Sequence, residues 1–284
     1  MTDKTTLGDR MKQYESTTQT SLLRRTPVII RIDGRAFHTF TKRLVSEKQD
    51  RQQILVPSNR IVDPSLNETP FSQVMHHLMT LTTATLFNQV QNCVFAYTQS
   101  DEISLVLKDW DRHETQQWFG GNVQKICSLS ASIATAAFNY HLMKKCPPST
   151  PLDFAQFDSR VYNVPHDEVV NYMIWRQQDA SRNSVQMLGR FHFSQKEMHG
   201  KSNSQVQDML MLNKGVNWND LPVWMKRGSA VYQRADWNEF MSFYPAHIDD
   251  NIPIFTQDRA FIEKHLAPKD TLGDLGDFRS EIGP

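Results

Sequence analysis

Little in this sequence points to a secreted, disulfide-held or membrane-spanning protein. Only three of its 284 residues are cysteine (Cys93, Cys127 and Cys146), and no two of them have the spacing of a zinc or redox pair. So sparse and odd a count argues against a disulfide framework and suits a reducing, intracellular setting. Cys93 and Cys127 lie in apolar surroundings and read as core thiols. No run approaches the ~20 apolar residues that cross a bilayer. The polar start, MTDKTTLGDRMKQYES, has no signal-peptide core. A soluble, cytoplasmic chain with no membrane partner is expected. Net charge is missing as well, because 31 basic residues balance 31 acidic ones. A strongly basic nucleic-acid binder is not indicated, and any RNA-facing surface has to come from local clusters.

What is present is a recurring pattern of short strands and amphipathic helices. GDRMKQYE reads as a short helix with Met11 and Tyr14 on its apolar side. The β-branched run 28–32 after Pro27 reads as a strand, and its unbroken apolarity predicts burial on both faces. Residues 41–70 are polar, contain three prolines and show no period, which predicts a long surface loop. Phe71, Val74, Met75, Leu78, Thr82, Thr85, Leu86 and Gln89 fall on one helical stripe. Residues 93–107 read strand, polar tip, strand. A long helix follows from about Val123, and CPPSTP stops it. A strand near 160–164 comes next, then a helix from about 169 to 189 with Asp167 as its cap.

The order strand, helix, strand, strand, helix, strand over 28–164 matches the split βαβ, ferredoxin-like plan of an α+β protein. The division expected is a palm-like catalytic core over 1–164, and over 165–284 a helical extension packed on it rather than a separate domain. A helix at 204–212 belongs to that extension, and the stretch after Ser229 alternates only weakly.

Acid stands at the ends of two of these strands. PVIIRIDGRAFHTF carries Asp33 and Gly34 at its tip, and CVFAYTQSDEISLVL carries Asp101 and Glu102 at its hairpin. In the ferredoxin-like order these strands are neighbours, so the acids can converge. Carboxylates at the ends of adjacent buried strands are what a two-magnesium phosphoryl-transfer site needs. Gly34 lets the backbone turn and its carbonyl approach an ion. Adjacent residues of a strand face opposite ways, so Asp101 is the expected ligand and Glu102 its support or occasional ligand. The blander reading is that acids at hairpin tips are solvated turn residues.

Taken together, RIDGRAFHTF and YTQSDEISLVL resemble the tRNA-His guanylyltransferase superfamily. The likeness continues through NVQKICSLSASIATAAFNYHL, WRQQDASRNSVQML, HFSQKEMHGKS, GVNWNDLPVWMKRG and PIFTQDR. It implies a catalytic half similar to the palm of nucleic-acid polymerases and 3'-to-5' nucleotide addition at a tRNA 5' end. In such enzymes ATP activates a 5'-monophosphate, and the 3'-hydroxyl of an incoming nucleotide, typically GTP, then attacks it. The likeness further implies that Asp33, the Gly34 carbonyl and Asp101 hold two magnesium ions. It makes Arg31, Gly34, Arg35, Ala36, Phe37, His38, Ser100 and Lys125 nucleotide-binding residues. The tetramers of related enzymes imply a homo-oligomer. Where the eukaryotic enzymes carry HINNLYN, this chain reads ASRNSVQ, with Ser181 at the histidine position. That departure resembles the bacterial and phage like-protein branch, associated with repair of 5'-truncated tRNAs. Dedicated guanylylation of tRNA-His is the alternative.

Other residues have plainer readings beside functional ones. Arg31 and Arg35 either clamp a triphosphate or form salt bridges with the nearby acids. His38 lines a nucleotide pocket or packs as a half-buried imidazole. Ser100 bonds a phosphate or only stabilises its turn. Asn183, Lys201, Lys226 and Arg227 are candidate tRNA contacts, each of which also reads as a solvated polar residue. HGKS at 199–202 is not a P-loop, because Gln195 stands where that motif needs glycine. His192 and His199 lack a third zinc-type ligand. A nucleotide cyclase, or a catalytically silent RNA-binding palm, are the competing classes.

Overall fold

The computed structural model describes residues 6–46, 69–145, 154–234 and 246–268. Helix α1 (Leu7–Ser16) leads to strand β1 (Val28–Gly34) and helix α2 (Phe37–Ser46). Helix α3 (Gln73–Gln89), the hairpin β2 (Cys93–Gln99) and β3 (Glu102–Leu107), helix α4 (Val123–Lys145) and strand β4 (Phe157–Asn163) follow. Next come α5 (Glu168–His192), α6 (Gln195–Met198), α7 (Asn203–Lys214) and α8 (Val223–Arg227). Strands β5 (Ser229–Gln233) and β6 (Ala246–Asp249) and helix α9 (Ala260–Leu266) complete the set.

The strands form one sheet in the order β4-β1-β3-β2-β5-β6, with every neighbouring pair antiparallel. The first four reproduce the ferredoxin-like order. Strand alternation sorts the core onto two faces. Ile30, Ile32, Ala96, Ile103 and Leu105 pack with residues of α3 and α4, such as Leu78, Leu86, Ala134 and Phe138. Ile29, Phe95, Tyr97 and Val106 pack with residues of α5 and α9, among them Val170, Met173 and Ile262. β1 is therefore covered on both faces, as its apolar run predicted. A third cluster joins Val185 and Leu188 of α5 to Val206 and Leu210 of α7. Among the described residues no helix is long and apolar enough to cross a membrane. Cys93 and Cys127 are free thiols, and burial pushes both pKa values up, which makes them poor nucleophiles.

Four sequence expectations need correction. The predicted loop does not begin at 41, because α2 runs on to Ser46. Phe37 and Phe40 anchor it, packing on Phe138, and Phe37 also meets Phe157. Residues 47–68, the rest of that expected loop, lie outside the described residues. β4 begins earlier than expected, at Phe157, whose ring is buried while its neighbours are polar. Asp167 holds the cap position of α5, but its own backbone is already helical and its side chain accepts no capping bond. The stretch after 164 is not helical throughout. β5 pairs with β2 and β6 with β5, so two short strands that alternate too weakly to be seen in isolation extend the sheet.

Gly228 makes that extension possible. Its φ of 77° and ψ of −164° form a conformation nearly restricted to glycine. A Cβ there would also lie 2.4 Å from the Thr98 carbonyl oxygen. Gly215, with φ 67°, has open space where its Cβ would stand. Gly228→Ala is expected to lower unfolding free energy in urea by about 2 kcal/mol or more, and Gly215→Ala by only about 1 kcal/mol. Equal losses would show that the close approach at Thr98 does not matter.

Candidate active site

Strand register sets a row of polar residues across one end of the sheet. Asp33 stands opposite Glu102 of β3 on one side and Asp158 of β4 on the other, and Glu102 stands opposite Gln99 of β2. Cross-strand partners face the same side, so this row lies on the face covered by α5. The backbone ties the hairpin tip to the end of β1, because the Gly34 N–H donates to the Asp101 carbonyl at 3.0 Å. Ser100 takes a left-handed φ of 52° in the tight turn, and its hydroxyl donates to Asp101 Oδ1 at 2.9 Å.

The acids of this tip are not equivalent. Asp101 is half-buried, and its pKa is raised. Burial is the chief cause; the Ser100 hydrogen bond opposes it, and the negative charge of Asp33 adds to it. Asp33 is also half-buried, and among the described residues no side chain donates to its carboxylate. Asp101 thus senses the charge of Asp33, and among the described residues no protein cation pairs with either carboxylate.

Glu102 is neutralised instead. It is 5% exposed, and Arg176 of α5, 3% exposed, grips it with both arms of its fork. Arg176 Nε donates to Oε1 at 2.6 Å and Nη2 to Oε2 at 2.8 Å. Arg31 Nη2 donates to Oε2 at 2.7 Å from the other side. Arg176 also donates to Asp179, which in turn accepts from Arg182 and Asn183. Both Glu102 oxygens are committed, so it serves as an anchor rather than the expected occasional ligand. Arg31 is correspondingly the salt-bridge partner of its plainer reading.

The remaining sequence candidates divide by position. Arg35 is exposed and donates to Gln156 at 2.9 Å, while Ala36, with φ 54°, and His38 are exposed at the start of α2 beside the tip. Phe37 is a core residue, 3% exposed, and not a pocket wall. Its ring lies so close to Gly34 that a Cβ there would approach it to 2.3 Å. Packing, rather than a left-handed backbone, thus demands glycine at 34. Lys125 is not brought to the acids. It lies in the first turn of α4, where Ile126 lines a small cavity with Val28 and Leu107, at the other end of β1 and β3. Five strand steps separate Val28 from Asp33, about 17 Å. Lys201 is exposed in the loop before α7, and Asn183 lies along α5 beyond the Arg176 grip. Lys226 and Arg227 end α8 next to the hairpin.

Sequence reasoning passed over Arg176 and Asp158. Arg176 had a signal, since it stands on the stripe of Val169, Met173 and Ala180 that α5 buries, and an arginine there needs a buried acid. Asp158 had none before the register of β4 was known.

This arrangement on a ferredoxin-like sheet coincides with a family match. Residues 8–55 and 63–165, more than half of the chain, match the model described as Thg1, tRNAHis guanylyltransferase. The chain belongs to this family. With the rest of the tRNAHis guanylyltransferase family, it is a nucleotidyltransferase. A bacterial tRNA(His) guanylyltransferase (Thg1)-like protein solved in complex with ATP superposes with a TM-score of 0.75 at 39% identity, over 92% of this chain and 99% of that one. A structure titled in the same way, in complex with GTP, gives 0.69 at 35% identity over 92% and 98%. The tRNA(His) guanylyltransferase of Schizosaccharomyces pombe is 27% identical over 230 residues, 77% of each chain.

The inequality of the acids leads to three expected outcomes. Arg176→Ala strands Glu102 in the interior with Arg31 alone, and is expected to cost about 3–5 kcal/mol in denaturant unfolding. A loss below about 1 kcal/mol would contradict the anchor role. Asp101 has a folded pKa above its unfolded value, so its ionisation opposes folding as pH rises through that interval. Asp101→Asn should therefore raise the melting temperature at neutral pH and leave it unchanged well below the carboxylate range. In a carboxylate NMR titration, Asp33→Asn should move the Asp101 midpoint down; an unmoved midpoint would separate the two groups.

Proposed function

We propose that this protein adds nucleotides in the 3'-to-5' direction to the 5' end of tRNA, repairing tRNAs that have lost 5' residues. The observation that carries the reading is the pair Asp33 and Asp101. They are half-buried, the charge of Asp33 raises the Asp101 pKa, and among the described residues no protein cation pairs with either, while Glu102 beside them has two. Such a pair invites divalent cations, and oxygen donors of this kind suit magnesium. Asp33, the Gly34 carbonyl and Asp101 are the residues that would hold the ions. When bound, two magnesium ions would sharpen the attacking oxygen and neutralise charge on the transferring phosphate.

The chain's own residues supply position. The Glu102 grip fixes the β3 end of the hairpin, and the Gly34–Asp101 backbone bond ties β1 to the tip, so both acids sit on rigid strands. Helix α2 opens at Phe37, three residues after Gly34. While Thr39 N–H already donates to the Ala36 carbonyl, the amides of Phe37 and His38 precede the first intrahelical bonds, which suits them to hold phosphate oxygens of a nucleoside triphosphate. Arg35 and His38, both exposed there, stand ready for the same ligand. In this reading ATP adenylylates a 5'-monophosphate with release of pyrophosphate, and the 3'-hydroxyl of GTP or another nucleotide then attacks the activated 5' phosphate and displaces AMP.

Repair is favoured over dedicated guanylylation by two observations. ASRNSVQ replaces the motif of the eukaryotic enzymes, and identity is higher to the bacterial like-protein, 39%, than to the fission-yeast enzyme, 27%. A cytoplasmic homo-oligomer, tetrameric by family resemblance, belongs to the same proposal. Leu7, Met11 and Tyr14, which α1 leaves 65%, 48% and 69% exposed, are available to a partner subunit.

The test is incubation with labelled GTP, ATP, magnesium and a tRNA lacking its first nucleotide. Growth at the 5' end is expected, and its loss in Asp33→Ala and Asp101→Ala with circular dichroism unchanged. A cyclic product would indicate a cyclase, and binding without turnover a silent module. Undiminished addition by either variant would remove that residue from the site.

A further inference from the structure

We propose that Arg227 is a phosphate-holding residue of this enzyme, its guanidinium standing without a protein partner at the edge of the acidic tip and taking oxygens of a substrate phosphate. The identity of the substrate rests on the function proposed above; the anion site itself rests on the geometry here.

The backbone at Arg227 is held from both sides. Tyr97 Oη donates to the Arg227 carbonyl at 2.7 Å, and the Gly228 N–H donates to the Trp224 carbonyl at 3.0 Å. Gly228 lies against Thr98 and Gln99, and Ser229 begins the pairing of β5 with Thr98 of β2. Gln99 is the last member of the row that runs through Glu102 to Asp33. Arg227 therefore projects from a fixed point beside that row. Three strand spacings, about 14 Å, separate β5, which begins two residues after Arg227, from β1 with Asp33, and the hairpin turn with Asp101 lies between them. A triphosphate or two successive nucleotides cover such a span.

Among the described residues the side chain has no hydrogen-bond or ion-pair partner. Arg227 Nε is buried with no hydrogen-bond partner, and among the described residues no acid pairs with the guanidinium. Other cations of the described residues around the acids are engaged: Arg31 and Arg176 hold Glu102, and Arg182 holds Asp179. Lys226 donates to the Asn219 carbonyl and lies 6.0 Å over the Trp218 ring. Burial, and next the charge of Arg227, lower the Lys226 pKa, and the opposing charge of Asp220 does not cancel them, so the two cations repel. An unfilled planar fork of N–H donors beside a phosphoryl-transfer site matches phosphate better than any other common anion of that reaction. The phosphate belongs either to the nucleotide or to the RNA backbone, and these are separable by experiment.

The measurement is equilibrium binding to the full-length protein in magnesium, with inorganic tripolyphosphate, GTP and a 5'-truncated tRNA as separate probes. Arg227→Gln is expected to weaken binding of at least one probe about tenfold with an unchanged melting temperature. Weakening of tripolyphosphate and GTP assigns the nucleotide's phosphates to Arg227. Weakening of tRNA alone, with the salt slope reduced by about one, assigns the RNA backbone. Should Arg227→Gln fail to fold, Arg227→Lys is read instead; it keeps the charge without the fork, and at least threefold weakening is expected. Changes below about twofold on all three probes in a folded variant, or a wild-type protein that binds none of them, overturn the proposal. A wild-type protein that loses tripolyphosphate affinity on Arg227→Gln yet never extends a tRNA would sink the repair function and leave the anion site standing.

Discussion

The grip of Arg176 and Arg31 on Glu102 is the interaction around which the site is arranged. A buried carboxylate without partners would stay protonated or prevent packing of α5 on the sheet. Two guanidiniums satisfy it from opposite sides, one from β1 and one from α5. The lock joins the three elements that meet at the sheet's end and leaves Glu102 no free oxygen. It also consumes the cations that would otherwise reach Asp33 and Asp101. Three acids within one strand end are thereby divided into one structural and two available.

The ferredoxin-like order supplies the remaining geometry. β3 lies between β1 and β2, so the turn that follows β2 comes back beside the end of β1, where the Gly34 N–H meets the Asp101 carbonyl. Both faces of β1 carry core clusters, and its last residues, Asp33 and Gly34, open towards solvent. β5 adds a further strand on the far edge and sets Arg227 at the end of the same row. Acids at one end and an unpaired cation at the other suit a substrate that brings both metal ions and phosphate charge.

Much of this was legible before any coordinates. The β-branched run 28–32, the SDE tip and the long α4 each carry a strong local pattern, and their order identifies the sheet. The roles of individual residues were less legible. Glu102 follows Asp101 directly, and nothing local distinguishes a ligand from an anchor; the partner 74 residues away decides. Phe37 follows the glycine turn like a pocket residue, but aromatic packing with Phe138 and Phe157 takes it into the core. Lys125 was assigned by likeness alone, and helix direction carries it to the opposite end of the sheet. β5 and β6 were missed because two short edge strands owe their existence to pairing with β2 and to the conformation of Gly228.

The central claim is that divalent cations bind at Asp33 and Asp101 while Glu102 stays in its arginine grip. Anomalous scattering from crystals grown with manganese and a non-hydrolysable triphosphate tests it directly. The account predicts manganese peaks within coordination distance of the Asp33 and Asp101 carboxylates and the Gly34 carbonyl, with Glu102 still held by Arg31 and Arg176. Manganese on Glu102, or ordered density with none at Asp33 and Asp101, would contradict it.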